Sequence, residues 1–242
     1  MELKADLHTH TLKSGHAYGT IREMAQAASE KHLDLLGLTE HGPGIPGTTD
    51  PFYFGKLDEA PKEAYGVRLL YGCEINVLNG GKLGLDPFYI NLLDYAIAGV
   101  HTICYEDEGI EKNTDNVIAC MKEPKVKILA HPDDNKTPLD YKRLVPAAKE
   151  YSVVLEVNCN CLRYPERRKD CHENYKTMLG LCQKHQVPII IDTDAHDPGF
   201  VGVFDPALEF LKTIDFDESL VLNTDAKKTA DFLLNQPKAA ES

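Results

Sequence analysis

The chain has 242 residues, 43% of them hydrophobic and 26% charged, the balance of an ordinary globular protein. Its formal net charge of −12 argues against nonspecific binding to a nucleic-acid backbone, which needs a basic stripe, but leaves a small anionic substrate open. No apolar run reaches the roughly 18 residues of a membrane span, and no secretory apolar region precedes the first strand, so neither a membrane nor export is expected. The seven cysteines are odd in number and scattered, which suits free thiols in a reducing cytoplasm.

Short apolar runs that read as strands covered on both faces lie at 5–7, 33–39, 67–74, 95–100, 126–130, 153–157 and 187–192. Helical patterns fall at 21–31, 113–122, 139–151 and 174–185, with another at 206–213 after the last strand. Thr20 and Glu23 form a capping-box pattern at the first helix, and Asp140 or Thr137 can start the third. The alternation predicts one α/β domain over 1–235, a distorted seven-stranded (β/α)7 barrel of the TIM type, and then a polar tail at 236–242 that frays. The Gly- and Pro-rich stretch 42–55 is too long for an ordinary connection and reads as a functional loop or lid. Residues 80–93 suggest a turn and a short helix, 220–222 a short strand, and 225–234 a closing helix.

His8 and His10 are two residues apart, so on an extended strand both imidazoles face one way, close enough to grip one metal ion. On the strand map these two end the first strand, His41 the second, Glu74 the third, His101 the fourth, His131 the fifth, and Asp194 with His196 the seventh. His16 lies in the loop after the first strand. A single histidine at a strand end is more often a hydrogen-bonded structural residue than a ligand. Seven of the ten histidines gathered at the face where barrels place active sites are not independent accidents. His32 and His185, at helix C-termini, and His172, in a charged segment, read as surface residues.

The sixth strand supplies Asn158 and Asn160, followed by Arg163, Arg167, Arg168 and Lys169. A solvated charge run is the plainer reading of those four cations. The functional alternative is a bidentate grip on a substrate phosphate by Arg163, the one nearest the strand end, with Asn158 as a second contact and Lys136 as a weaker candidate. Tyr18 and the aromatics of 52–54 are candidate pocket walls. Asp192 shares a face with Asp194 and either hydrogen-bonds beneath the cluster or pairs with a lysine inside the barrel. Cys73, beside Glu74, should point the other way, into the core.

Five segments occur in order: Asp6-Leu7-His8-Thr9-His10, Thr39-Glu40-His41, Gly72-Cys73-Glu74, Ala130-His131-Pro132 and Thr193-Asp194-Ala195-His196. They resemble the motifs of the PHP (polymerase and histidinol phosphatase) superfamily of metal-dependent phosphoesterases. With His16-Ala17-Tyr18 and Gly99-Val100-His101, the chain is most similar to the stand-alone bacterial phosphatases, which implies a PHP-type barrel and three divalent ions. The resemblance implies one ion on His8, His10, Glu74 and Asp194, a second on His16, His41 and His196, and a third on Glu74, His101 and His131. Such imidazole-rich ligation suits zinc, and manganese or iron also fit the donor set. Glu40 stands where the family usually has aspartate and is implied to orient a ligand imidazole.

The implied activity is hydrolysis of a small phosphorylated substrate through attack by a hydroxide bridging two of the ions, with no serine or cysteine nucleophile. A phosphodiesterase or another hydrolase on the same barrel is the alternative. A non-catalytic metal-binding regulatory domain is a third reading; it predicts eroded ligands, and none of the nine is missing.

Overall fold

Runs such as Leu35-Leu36-Gly37-Leu38 and Ile189-Ile190-Ile191 offer almost nothing polar to either side, so they are stable only where both faces are covered. In the computed structural model, which describes residues 1–235, they become staves of a nearly closed barrel. The expected tail at 236–242 lies outside the described residues. Seven parallel strands pair in chain order: β1 (Ala5–Asp6), β2 (Leu35–His41), β3 (Val67–Leu78), β4 (Tyr95–Gly99), β5 (Val126–Leu129), β6 (Val154–Asn158) and β7 (Ile189–Asp192). The helices are α1 (Ile21–Glu30), α2 (Pro87–Ile90), α3 (Ile110–Met121), α4 (Tyr141–Glu150), α5 (Cys159–Arg163), α6 (Cys171–His185), α7 (Asp205–Thr213) and α8 (Ala226–Leu234). Among the described residues no helix is long and apolar enough to cross a membrane.

Local chemistry sets many of these boundaries. Thr20 and Glu23 close the capping box of α1, and Asp140, rather than Thr137, caps α4 through the Lys142 N–H. The stretch 42–55 is more ordered than a free lid. It leads into a 3-10 segment, Pro51–Glu59, that buries Phe54 and Leu57, and the Thr48 hydroxyl donates to the His41 carbonyl. Residues 80–93 resolve into a short antiparallel strand, Lys82–Leu83, and α2.

Two apolar cores lie on opposite sides of the staves. The outer one packs strand residues such as Leu36, Leu38 and Cys73 under the helices, as expected for Cys73. The inner one fills the barrel with Leu7, Leu35, Leu70, Ile97, Ile128 and Ile190, and α8 closes it with Leu233. The inner positions continue upward at every second residue, Leu35 to His41 on β2 and Leu70 to Glu74 on β3. The same period that buries the floor therefore delivers the polar ends. In register, His41 lies beside Glu74.

The seam between β1 and β7 carries little backbone pairing. Outside a single bridge from Thr9 to Ala195, it is closed by side chains. Asp6 accepts from the N–H groups of Thr193 (3.1 Å) and Gly202 (3.0 Å), and Asp192 accepts from the Leu7 N–H (2.7 Å). Burial pushes Asp6 up to about 6, and burial with the neighbouring Asp6 charge pushes Asp192 well above the carboxylate range. Asp192 thus lies against another acid, Asp6, and pairs with no lysine among the described residues.

Asn223 completes the seam. Its amide donates to the carbonyls of Ala5 (2.8 Å) and Ile191 (2.6 Å) and accepts from the Ile191 N–H (3.2 Å). The expected strand at 220–222 is instead two 3-10 turns, Glu218–Leu220 and Leu222–Thr224, that touch the sheet through one bridge at Val221 and present this side chain. We predict that Asn223→Ala, which strips partners from buried backbone groups, lowers unfolding stability by about 2–4 kcal/mol. Urea denaturation checks this; an unchanged midpoint would show that the seam does not depend on Asn223.

Candidate metal centre

Glu74 lies on the inner face of β3, which runs on to Leu78; it is fully buried, and its two oxygens look in different directions. Oε2 lies 2.7 Å from His41 Nδ1, 3.4 Å from His8 Nε2 and 3.7 Å from His10 Nε2. Oε1 lies 2.8 Å from His131 Nε2 and 3.1 Å from His101 Nε2. Gly99 makes this orientation possible, since a Cβ there would stand 2.6 Å from Oε1. Across the floor, Asp194 Oδ1 approaches His10 Nε2 at 3.1 Å and His8 Nε2 at 3.6 Å. His41 Nε2 faces His196 Nε2 at 3.3 Å, and His196 Nε2 faces His16 Nε2 at 3.1 Å. All nine candidate ligands converge on one centre, while His32, His172 and His185 are exposed elsewhere.

Within the centre, three groups of donor atoms each lie within 4.8 Å of one another: His8 with His10 and Asp194, His10 with His41 and His196, and His41 with Glu74 and His101. The groups overlap at His10 and His41, so the assembly is continuous. His8 Nε2, His10 Nε2, His41 Nδ1, Glu74 Oε2 and Asp194 Oδ1 are buried with no hydrogen-bond partner. Leaving that many polar atoms unsatisfied costs several kcal/mol in total, and lone pairs facing lone pairs repel. Divalent cations between them satisfy every one, and an imidazole-rich set with two carboxylates fits an ion of the zinc type.

Three ring nitrogens that face away from the centre are held. His8 Nδ1 meets Glu156 Oε1 at 2.6 Å, His101 Nδ1 meets Asn76 Oδ1 at 2.7 Å, and His10 Nδ1 meets the Ser14 hydroxyl at 3.0 Å. Glu40 acts through that serine. It accepts from the Ser14 hydroxyl at 2.7 Å and from the Thr11 N–H at 3.0 Å, so it orients the His10 ring through one intermediary. Glu156 also accepts from the His131 N–H at 2.7 Å, and Arg168 donates to the His131 carbonyl at 2.7 Å. These bonds hold His131 at a φ of 31°, and Asp194 has a φ of 53°. Such left-handed backbone costs about 1–3 kcal/mol per residue and persists only where its surroundings fix it.

Charge in the cluster is strongly coupled. Burial opposes a charge on His8, yet the carboxylates of Glu156, Asp194 and Glu74 outweigh it and hold its pKa well above the usual histidine range. Burial, reinforced by the neighbouring imidazoles of His41 and His196, takes His10 well below that range, and burial with adjacent imidazoles also lowers His101 and His16. For Glu74 burial works upward, but the imidazoles of His101, His8 and His41 bring its pKa well below the carboxylate range.

Above the centre lies a cavity of about 600 Å³ that reaches Tyr18, Arg163, Arg167 and Phe200. Of the two expected substrate contacts, Arg163 lines it. Asn158 does not, because it is fully buried, with its amide on Glu156 (3.0 Å) and Asp194 (3.3 Å) and its oxygen capping α5. Phe54 is core and Phe52 lies on the surface, so only Tyr18 of the proposed aromatic walls serves. Glu156 was not anticipated from the sequence; it shares a strand face with Asn158, two residues on, but lies within an apolar run that does not single it out.

The PHP domain family is matched over residues 6–160. A probable phosphatase from Clostridium acetobutylicum is 38% identical over 234 residues, 96% of this chain and 95% of that protein. Another from Thermoanaerobacter sp. (strain X514) is 39% identical over 235 residues, again 96% of this chain and 95% of that protein. Among solved structures, a histidinol phosphate phosphatase from Lactococcus lactis complexed with zinc, L-histidinol and phosphate aligns with a TM-score of 0.59 at 16% identity, covering 90% of this chain and 95% of that one. A putative histidinol phosphatase from Listeria monocytogenes aligns with a TM-score of 0.61 at 18% identity, covering 82% of this chain and 97% of that one. At these identities the two structures establish the shared barrel.

The Glu156–His8 pair gives a pH signature. A pKa above the usual range keeps His8 protonated in the metal-free protein at neutral pH, and a metal ion must displace that proton. Metal affinity should therefore rise with pH through neutrality. Glu156→Gln should release fewer protons on zinc binding and weaken the affinity about 10–100-fold. Calorimetry in buffers of different ionisation enthalpy measures both; equal proton release by variant and wild type would contradict the assignment.

Proposed function

Because the chain belongs to the PHP domain family, we propose that it is a metal-dependent phosphatase hydrolysing a small phosphate monoester. The observation that carries the reading is the two-sided environment of Glu74 at the base of an open cavity. We assign three ions: one to His8, His10, Glu74 and Asp194, one to His16, His41 and His196, and one to Glu74, His101 and His131. The facing of each Glu74 oxygen toward a different set of imidazoles supports its place as the bridge. When bound, such ions supply Lewis acidity that offsets phosphate charge and makes coordinated water acidic near neutral pH. We take residues 1–235 as the functional unit.

The chain's own groups then have defined tasks. Glu156, Ser14 and Asn76 keep the outer nitrogens of His8, His10 and His101 engaged, so that the inner nitrogens stay directed at the centre. Arg163 faces the substrate, and Asn158 supports Asp194. Covalent catalysis by a thiol does not fit. Cys161 reaches the cavity wall, but burial pushes its pKa well above the usual thiol range, so it is not a ready thiolate.

Elemental analysis of the purified protein, paired with phosphate release from a panel of monoesters, tests the proposal. Wild type should carry three divalent ions per chain, and Asp194→Ala should lose metal and at least about two orders of magnitude in kcat. Metal-replete wild type that releases no phosphate from any monoester would overturn the reading.

A further inference from the structure

The cavity is lined more selectively than a phosphate alone requires. Lys136, Arg163, Arg167 and Arg168 all reach it from outside the imidazole cluster. Two of the four are committed to the protein itself. Arg168 grips Asp133 at 2.8 and 3.3 Å while bonding the His131 carbonyl. Lys136 donates to the Arg167 carbonyl at 2.7 Å and stands 3.9 Å from Asp134.

The other two are positioned and only weakly engaged. The Arg163 guanidinium lies 4.3 Å over the Phe200 ring, and its one hydrogen bond, to the Val203 carbonyl, is 3.5 Å long. No carboxylate among the described residues pairs with it. Arg167 lies 4.2 Å over Tyr164, and its ion pair with Glu166 at 3.9 Å joins two side chains that are each 69% exposed. Stacking fixes the plane of a guanidinium and leaves its N–H edge open to an anion. Two acids also line the cavity: Asp134 is offset by Lys136 at 3.9 Å and Arg168 at 3.8 Å, and Asp197 accepts from the Gly199 N–H. Tyr18, Ile103 and Phe200, all exposed, add apolar wall between floor and rim.

We propose that the substrate is a phosphate monoester with a second anionic group at its far end, the phosphate seated at the imidazole floor and the distal anion on Arg163, with Arg167 beside it. The inference rests on the phosphatase reading above. A carboxylate or a second phosphate meets the same requirement, and a terminal ammonium does not, since at that position it would meet the two stacked guanidinium groups.

The test uses phosphate monoesters of ω-hydroxy acids over a series of chain lengths, against those of n-alcohols and ω-amino alcohols of equal length. In the metal-replete enzyme, kcat/KM should rank carboxylate above methyl above ammonium. The carboxylate should lead methyl by about ten- to a hundredfold at the best-fitting length. Arg163→Met keeps an apolar stem against Phe200 and removes the charge, so it should bring the carboxylate-to-methyl ratio toward one. As a readout independent of turnover, ω-carboxyalkyl phosphonates should raise the wild-type melting temperature more than alkyl phosphonates do, and the variant should lose that difference. Equal turnover of all three series by wild type, or a preference kept by Arg163→Met, would overturn the inference. If no ester is hydrolysed, the phosphatase reading fails, and the phosphonate shifts alone decide whether Arg163 binds the distal anion.

Discussion

The structure turns on one buried carboxylate placed among imidazoles. Glu74 has no water to solvate it, and five histidines approach its two oxygens within 3.7 Å. A charge in such surroundings is stable only if cations or hydrogen-bond donors take its lone pairs. The imidazoles hold its pKa low, yet Oε2 still has no hydrogen-bond partner. That residual demand at Oε2, with imidazoles crowding both oxygens, suits a centre built around this one group. The absence of a side chain at Gly99 and the alternation of β3 exist in the service of this placement.

Concentrating so many polar groups in one volume has to be offset elsewhere. Below the cluster, an aliphatic plug fills the barrel, and outside the staves a continuous apolar layer packs the helices. Around the cluster the polar groups are arranged in tiers: Glu156 behind His8 and His131, Glu40 and Ser14 behind His10, Arg168 and Asp133 behind the His131 backbone. These tiers fix ring planes and stabilise the left-handed backbone of His131. The seam between β1 and β7 follows the same logic, with Asp6, Asp192 and Asn223 supplying bonds that a strand ladder supplies elsewhere.

Much of this was legible in the amino-acid order. Buried strands announce themselves through apolar runs, and the two-residue period places most of the candidate histidines and carboxylates at strand ends, whereas His16, in a loop, and the full set of nine candidate ligands came from the family resemblance. What escaped depends on contacts across the barrel. Glu156 lies within an apolar run, where nothing local tells a supporting acid from a strand defect; its partners, His8 and His131, are 148 and 25 residues away. Asn158 was misread because the short helix α5 begins directly after β6 and takes its side chain as a cap. The segment 220–222 looked like a strand because it is apolar and mostly buried, but it meets the sheet only through the single bridge at Val221. Arg163 lines the cavity, but its aromatic support comes from Phe200, a partner that no local pattern joins to it.

The central claim is that Glu74 bridges separate ions. Anomalous diffraction at the zinc edge, from crystals of the zinc-loaded protein, tests it directly. The account predicts separate peaks, with Oε2 of Glu74 at one ion shared with His8 and His10, and Oε1 at another shared with His101 and His131. A single peak, or peaks that leave either oxygen of Glu74 without a metal, would contradict it.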